Sequence, residues 1–153
     1  MEEPVHKTWE VPNRLPALAA AAREVFNWLA NMPISSRAKY SAGLVVEEVV
    51  TNAIKYGYDG DPAEHVIRFT ITVFPDYLRI VFEDDAAPFD PTQYPAPDVD
   101  KLVDSNRVGG LGIELVRRVC ARMAYKRDGD INRLTLHIRR LEPGDTQLIR
   151  LNL

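Results

Sequence analysis

The sequence predicts an α+β fold, and three observations predict it. Apolar residues recur at the helical period in three stretches, beginning near Ala17, Ser36 and Gly109. Two pairs of alternating segments are each joined by a short turn, the hairpin signature of an antiparallel sheet. The 153 residues fit one domain, large enough to bury a core without metal or disulfide support.

Taken in order, His6 to Val11 alternates loosely and reads as an edge strand ended by Pro12 and Pro16. From Ala17, the positions Leu18, Ala21, Ala22, Val25, Phe26 and Leu29 mark a packing helix stopped by Asn31 and Pro33, with Trp28 on its exposed side. Ser35 or Ser36 caps a second helix that runs to Gly57. With Val49 at the centre of its buried face, about 100° per residue gathers Ala42, Val45, Val46 and Ala53 into one stripe and leaves Glu48 and Asn52 together at the rim. Asp59-Gly-Asp-Pro62 turns the chain into a hairpin of Val66 to Phe74 and Tyr77 to Glu83, whose second strand runs straight into Asp84.

Between Asp85 and Asn106 stand Pro88, Pro91, Pro95 and Pro97 and no sustained period, as in a lid or binding segment. Val108-Gly-Gly-Leu-Gly112 then opens a third helix with the stripe Gly112, Leu115, Val116, Val119, Cys120 and Met123. Ala124 to Arg127 and Asn132 to Arg139 form the second hairpin around Asp128-Gly-Asp130. After the turn at Pro143-Gly-Asp145, a short alternating run would add one more strand.

Composition excludes several functions. A balance of 19 basic against 22 acidic residues, with a pI near 5.6, offers no broad basic field for a nucleic-acid backbone. Cys120 is the one cysteine, which suits a reducing compartment, and cytoplasm is the expected location. Within the third helix stripe it reads as a buried, inert thiol. The opening Met-Glu-Glu-Pro-Val-His-Lys lacks a signal pattern, and no run approaches the roughly 18 apolar residues of a membrane span. His6, His65 and His137 are scattered, so a tetrahedral zinc site has no support.

Three polar clusters fall at element ends, each with a plain and a functional reading. Glu48 and Asn52 are either a solvated helix edge or a pair facing a pocket, where the Asn carbonyl suits Mg²⁺ and the Glu can orient or deprotonate a hydroxyl. Asp84 is either a turn acid or an acceptor for an exocyclic amine such as that of adenine. Gly109 to Gly112 is either a hinge or a turn whose backbone N–H groups approach a phosphate. Paired-carboxylate hydrolysis through Glu47 and Glu48 is disfavoured, because adjacent helical residues point about 100° apart.

The order of these clusters carries a resemblance. Glu47-Glu-Val-Val-Thr-Asn-Ala53 resembles the N-box of the histidine-kinase-like ATPase (GHKL) superfamily. Asp84-Asp-Ala-Ala-Pro-Phe-Asp-Pro91 resembles its first glycine box, and Gly109-Gly-Leu-Gly112 its second. The compact layout and the Phe-Asp-Pro ending are similar to the stand-alone anti-sigma-factor serine/threonine kinases, the RsbW-like family. The resemblance spans roughly Trp9 to Arg139. It implies one domain over residues 1–153 with the Bergerat-type ATP-binding fold: a two-layer α/β sandwich with a mixed, mostly antiparallel sheet and helices on one face.

By position, the resemblance makes Glu48 the catalytic base and Asn52 the Mg²⁺ ligand. Asp84 binds the adenine amine, Gly109, Gly110, Leu111 and Gly112 form the phosphate cradle, and Thr92 to Val108 is the ATP lid. Thr135 in the last strand helps place the adenine. Lys55 and Arg107 either reach phosphate or are solvated cations. Two positions depart from the pattern: Ala86, with Pro88 beyond it, stands where the first box carries glycine, and Tyr56 stands where histidine is frequent. An added methyl at 86 could crowd the base or fix the loop.

The implied function is ATP-dependent phosphorylation of a serine or threonine on an anti-anti-sigma (STAS-domain) partner, with sequestration of a sigma factor when that partner is unavailable. ATP and Mg²⁺ are the implied cofactors, and the family suggests a homodimer. A degenerate partner-binding module without phosphotransfer stays open, favoured by Ala86. The catalytic domain of a two-component histidine kinase is disfavoured, since His6 precedes the domain by only a few residues and no dimerisation helix carries a phosphoacceptor.

Overall fold

Alternation along the strands decides which sheet face is buried, and the register turns that pattern into one apolar surface. A computed structural model describes residues 3–93 and 109–141. Its strands are β1 (Val5–Pro12), β2 (Val66–Val73), β3 (Tyr77–Asp84), β4 (Arg122–Asp128) and β5 (Ile131–Arg139). They lie in the order β1-β2-β3-β5-β4, with every neighbouring pair antiparallel. The sheet expected to be mixed and mostly antiparallel is thus antiparallel throughout the described residues.

Trp9, Phe69, Phe82, Leu134 and Tyr125 stand in register across all five strands. Trp9 stacks on Phe69 at 5.1 Å, and Phe69 meets Phe82 at 5.6 Å between ring centroids. Fully burying one such ring contributes about 1.5–3 kcal/mol. The opposite face is polar, with Thr8 bonded to Thr70, Arg68 to Glu10 and Arg133 to Glu83.

Helices α1 (Leu15–Ala30), α2 (Ser36–Tyr56) and α3 (Gly109–Val119) cover the apolar face, α1 and α3 each packing against α2. This is the two-layer α/β sandwich. The α2 N-cap is Ser35, whose Oγ accepts from the Ala38 N–H at 2.9 Å, and Gly57 forms the C-cap. Ala42, Val45, Val46, Val49, Val50 and Ala53 are buried along α2, leaving Glu48 and Asn52 half-buried at the rim.

The other two helices differ in detail from their expected stripes. Phe26 is 68% exposed, whereas Trp28 packs edge-on against Trp9 with centroids 5.6 Å apart. The contact line of α1 runs through Leu18, Ala21, Val25 and Leu29, and Trp28, three residues past Val25, flanks that line more closely than Phe26 does. On α3, Ile113 and Val116 are buried while Leu115 is 42% exposed. The helix ends at Val119, so Cys120 follows it and Met123 belongs to β4. Burial pushes the Cys120 thiol up to about 12, in keeping with an inert sulfur. The expected strand after residue 145 lies outside the described residues. No helix among the described residues is long and apolar enough to cross a membrane.

Candidate functional site

The helical spacing of four that links Glu48 to Asn52 places both side chains on one wall of an open cleft of about 410 Å³, solvent included. Thr51, Lys55 and Tyr56 of α2 line it, and Gly112 and Ile113 of α3 form the facing wall. The glycine motif does not precede α3 but builds its first turn, where N–H groups have no intrahelical partner. Gly109, Gly110 and Leu111 occupy that turn, and Gly112 closes it. A Cβ at Gly112 would collide with Glu48 Oε2 and come within 3.1 Å of Glu48 Cδ. Only a glycine brings the α3 backbone this close to the carboxylate.

Asp84 ends β3 on the same sheet face as Phe82, opposite Asn132 in the β3–β5 register. Its Oδ1 accepts from the Ala86 N–H at 3.0 Å and from Asn132 Nδ2 at 2.9 Å. Burial holds its carboxyl above the usual range, opposed by the Asn132 and Ala86 hydrogen bonds and by Arg127. The loop that follows is fastened to the end of α2: the Ala87 N–H donates to Gly57 O at 2.8 Å, and buried Ala86 packs its methyl against Gly57. A Cβ at Gly57 would stand 2.7 Å from Ala86 Cβ. The methyl at the departing position is therefore absorbed by a glycine across from it.

One helix thus carries the polar pair and anchors the acid-bearing loop, since Asn52 and Gly57 are separated by about 7–8 Å of helical rise. At the far side of the loop, His65 stacks on Tyr58 and bonds Asp85 through Nδ1 at 2.8 Å and Asp61 through Nε2 at 2.9 Å. Hydrogen bonds to the carboxylates of Asp61 and then Asp85 raise the imidazole above its ordinary value. Burial, with the charges of Asp84 and Asp85, raises the Tyr58 hydroxyl. Beyond the loop, Arg117 of α3 donates to Pro91 O at 3.1 Å and Thr92 O at 3.2 Å, fixing the start of the expected lid.

Not every expected residue joins this site. Thr135 pairs with Val81 and Ala124 and alternates with the buried Leu134 and Leu136, so it lies on the sheet face turned away from the helices. Asn132 occupies the position facing Asp84 instead. Lys55 is exposed at the cleft, and Arg107 and residues 94–108 of the lid lie outside the described residues. Thr51, Ile113, Asn132 and Arg127 escaped sequence reasoning, which noted Tyr56 only as a departure from the family pattern. Asn132 did leave a signal, being an amide in phase with the apolar positions Leu134, Leu136 and Ile138.

A sheet backed on one face by helices, with a strand-end carboxylate, a polar helix rim and a glycine-built helix turn, places an acceptor and a set of helix N-terminal N–H groups where a nucleotide could use them. A profile of the histidine kinase-like ATPase domain matches residues 11–138, and the chain belongs to that family. It is similar to the serine/threonine-protein kinase BtrW of Bordetella bronchiseptica, 27% identical over 127 residues covering 80% of this chain and 88% of that one. The serine-protein kinase RsbW of Staphylococcus aureus is 29% identical over 104 residues, and the match spans 65% of each chain. The histidine kinase domain of the Erythrobacter litoralis EL346 blue-light activated histidine kinase shares the fold, with a TM-score of 0.52 at 21% identity over 88% of this chain and 64% of that one.

Proposed function

We propose that the chain is a single-domain, cytoplasmic, ATP-dependent serine/threonine protein kinase that acts as an anti-sigma factor. Its substrate is an anti-anti-sigma (STAS-domain) protein, and it sequesters a sigma factor when that substrate is unavailable. The observation that carries the reading is the apposition of Glu48 and Gly112, which brings a carboxylate and a helix N-terminus to one cleft beside Asn52. The names of BtrW and RsbW as serine or serine/threonine kinases support the reaction class.

The residues fit Mg-ATP. Among the described residues no three His, Cys, Asp or Glu side chains gather to cage a metal. Asn52 would instead give one hard oxygen to an ion held mainly by water and phosphate, as Mg²⁺ prefers. Mg-ATP would supply the phosphoryl group and the neutralising charge. The α3 first-turn N–H groups bind phosphate oxygens, with the helix dipole favouring the anion. Asp84 accepts the adenine amine, and Glu48 orients the acceptor hydroxyl and takes its proton. Lys55 at the mouth of the cleft adds positive charge to the phosphate path. Catalysis on this reading is mostly positioning and electrostatics.

A partner-holding module without phosphotransfer is the second reading, favoured by Ala86 in place of glycine. The burial of that methyl against Gly57 weighs against it. Purified chain incubated with Mg-ATP and a STAS-domain protein separates the two. Transfer to serine or threonine that is lost in Glu48→Ala is the expected result, whereas tight partner binding without transfer overturns the kinase reading.

A further inference from the structure

Asn132 is a buried amide whose every polar atom is used. The two hydrogens on its Nδ2 are shared among Asp84 Oδ1 at 2.9 Å, Ala86 O at 3.1 Å and Ala87 O at 3.2 Å. Its Oδ1 accepts from Tyr125 OH and from Arg127 at 3.0 Å. These partners fix the amide one way round, because a flip would set its oxygen against a carboxylate and its NH₂ against a guanidinium. Arg127 also donates to Ala86 O at 2.8 Å, so the β4–β5 hairpin grips the loop after Asp84 from the side opposite Gly57.

The grip has a consequence for the carboxylate. Among the described residues, both hydrogen bonds that Asp84 accepts fall on Oδ1 and none falls on Oδ2. Burial favours the neutral acid, and Asn132, Ala86 and Arg127 oppose it, while Asp85 acts in the same sense as burial. An ionised carboxylate is acceptor-only, so it pairs with an exocyclic amine and repels a carbonyl. A neutral carboxyl could donate to a carbonyl instead.

We propose that Asn132, backed by Arg127 and Tyr125, is the positioning residue that holds Asp84 as an acceptor with Oδ2 open, and thereby sets selectivity for a 6-amino over a 6-oxo purine. The inference rests on the reading that Asp84 receives the base. Binding of Mg-ATP and Mg-ITP to the full chain, measured by calorimetry, tests both. The wild type prefers ATP. Asn132→Ala weakens ATP by roughly ten- to a hundredfold, the size expected for a lost hydrogen bond to a charged group, and ITP by less, so the ATP-to-ITP ratio falls. Asn132→Thr, which retains a donor, restores part of the ratio. If Asn132→Ala unfolds, Arg127→Met gives the same shift in smaller degree with Asn132 in place.

A wild type that binds neither nucleotide, or both equally, overturns the reading of Asp84. A wild type that prefers ATP, with Asn132→Ala or Arg127→Met preserving its ratio, overturns the positioning role of Asn132 alone.

Discussion

Replacing Gly57 by alanine tests how the departing position at Ala86 is accommodated. Gly57 has φ −84°, an ordinary helical value, so the backbone accepts a side chain without strain. Space is the obstacle: the new Cβ would stand 2.6 Å from Ala53 O and 2.7 Å from Ala86 Cβ, well inside the 3.5–4.0 Å of a favourable carbon contact. Overpacking of this kind costs about 1–3 kcal/mol, and the reduced entropy of the unfolded chain returns about 0.4–1 kcal/mol. The net loss is about 1–2 kcal/mol, or roughly 2–8 °C in Tm for a chain of this size. Thermal and urea unfolding followed by circular dichroism measure it. Ala86→Gly in the Gly57→Ala background removes the methyl-to-methyl contact and leaves the one to Ala53 O, so it recovers part of the loss. The double-mutant cycle therefore shows a coupling of at least about 0.5 kcal/mol. A Gly57→Ala variant as stable as the parent, or a cycle with no coupling, refutes the packing argument.

Two further outcomes follow from the same geometry. Gly112→Ala meets the end of a flexible side chain, so Glu48 swings away at small cost: unfolding shifts by less than about 1 kcal/mol, whereas the phosphotransfer proposed above falls at least tenfold. Equal loss of stability and activity would contradict this. His65 bonds a carboxylate through each ring nitrogen, which requires the imidazolium, so its raised pKa, read by NMR titration, lies above 6.5 and falls back in Asp61→Asn. Because the folded value exceeds the unfolded one, the stabilisation is full below about pH 6.5 and is lost as pH rises through the folded value. Stability of the wild type relative to His65→Gln, followed from pH 6 to 8, accordingly declines, and a flat profile would refute the charged pair.

Local pattern alone was enough for much of this protein. Strand alternation, the Ser35 cap and the Gly57 stop write the elements into the chain, because each depends on neighbours a few residues away. The pair Glu48 and Asn52 was legible for the same reason, since helical period fixes which side chains share a face. Where tertiary contact decides, the pattern was silent or misleading. Phe26 and Trp28 exchange roles because the contact line of α1 runs through Leu18, Ala21, Val25 and Leu29, and which line a helix presents to the sheet is chosen by what it packs against. Thr135 and Asn132 differ by three residues and so by sheet face, and only the β3–β5 register brings Asn132 opposite Asp84. The accommodation of Ala86 by Gly57 joins residues far apart in the chain. The sequence by itself determined which residues share a face of a helix or strand, because spacing along an element is a local property; the partners that hold them in place were decided by tertiary structure, because register and packing bring together residues that no local period relates.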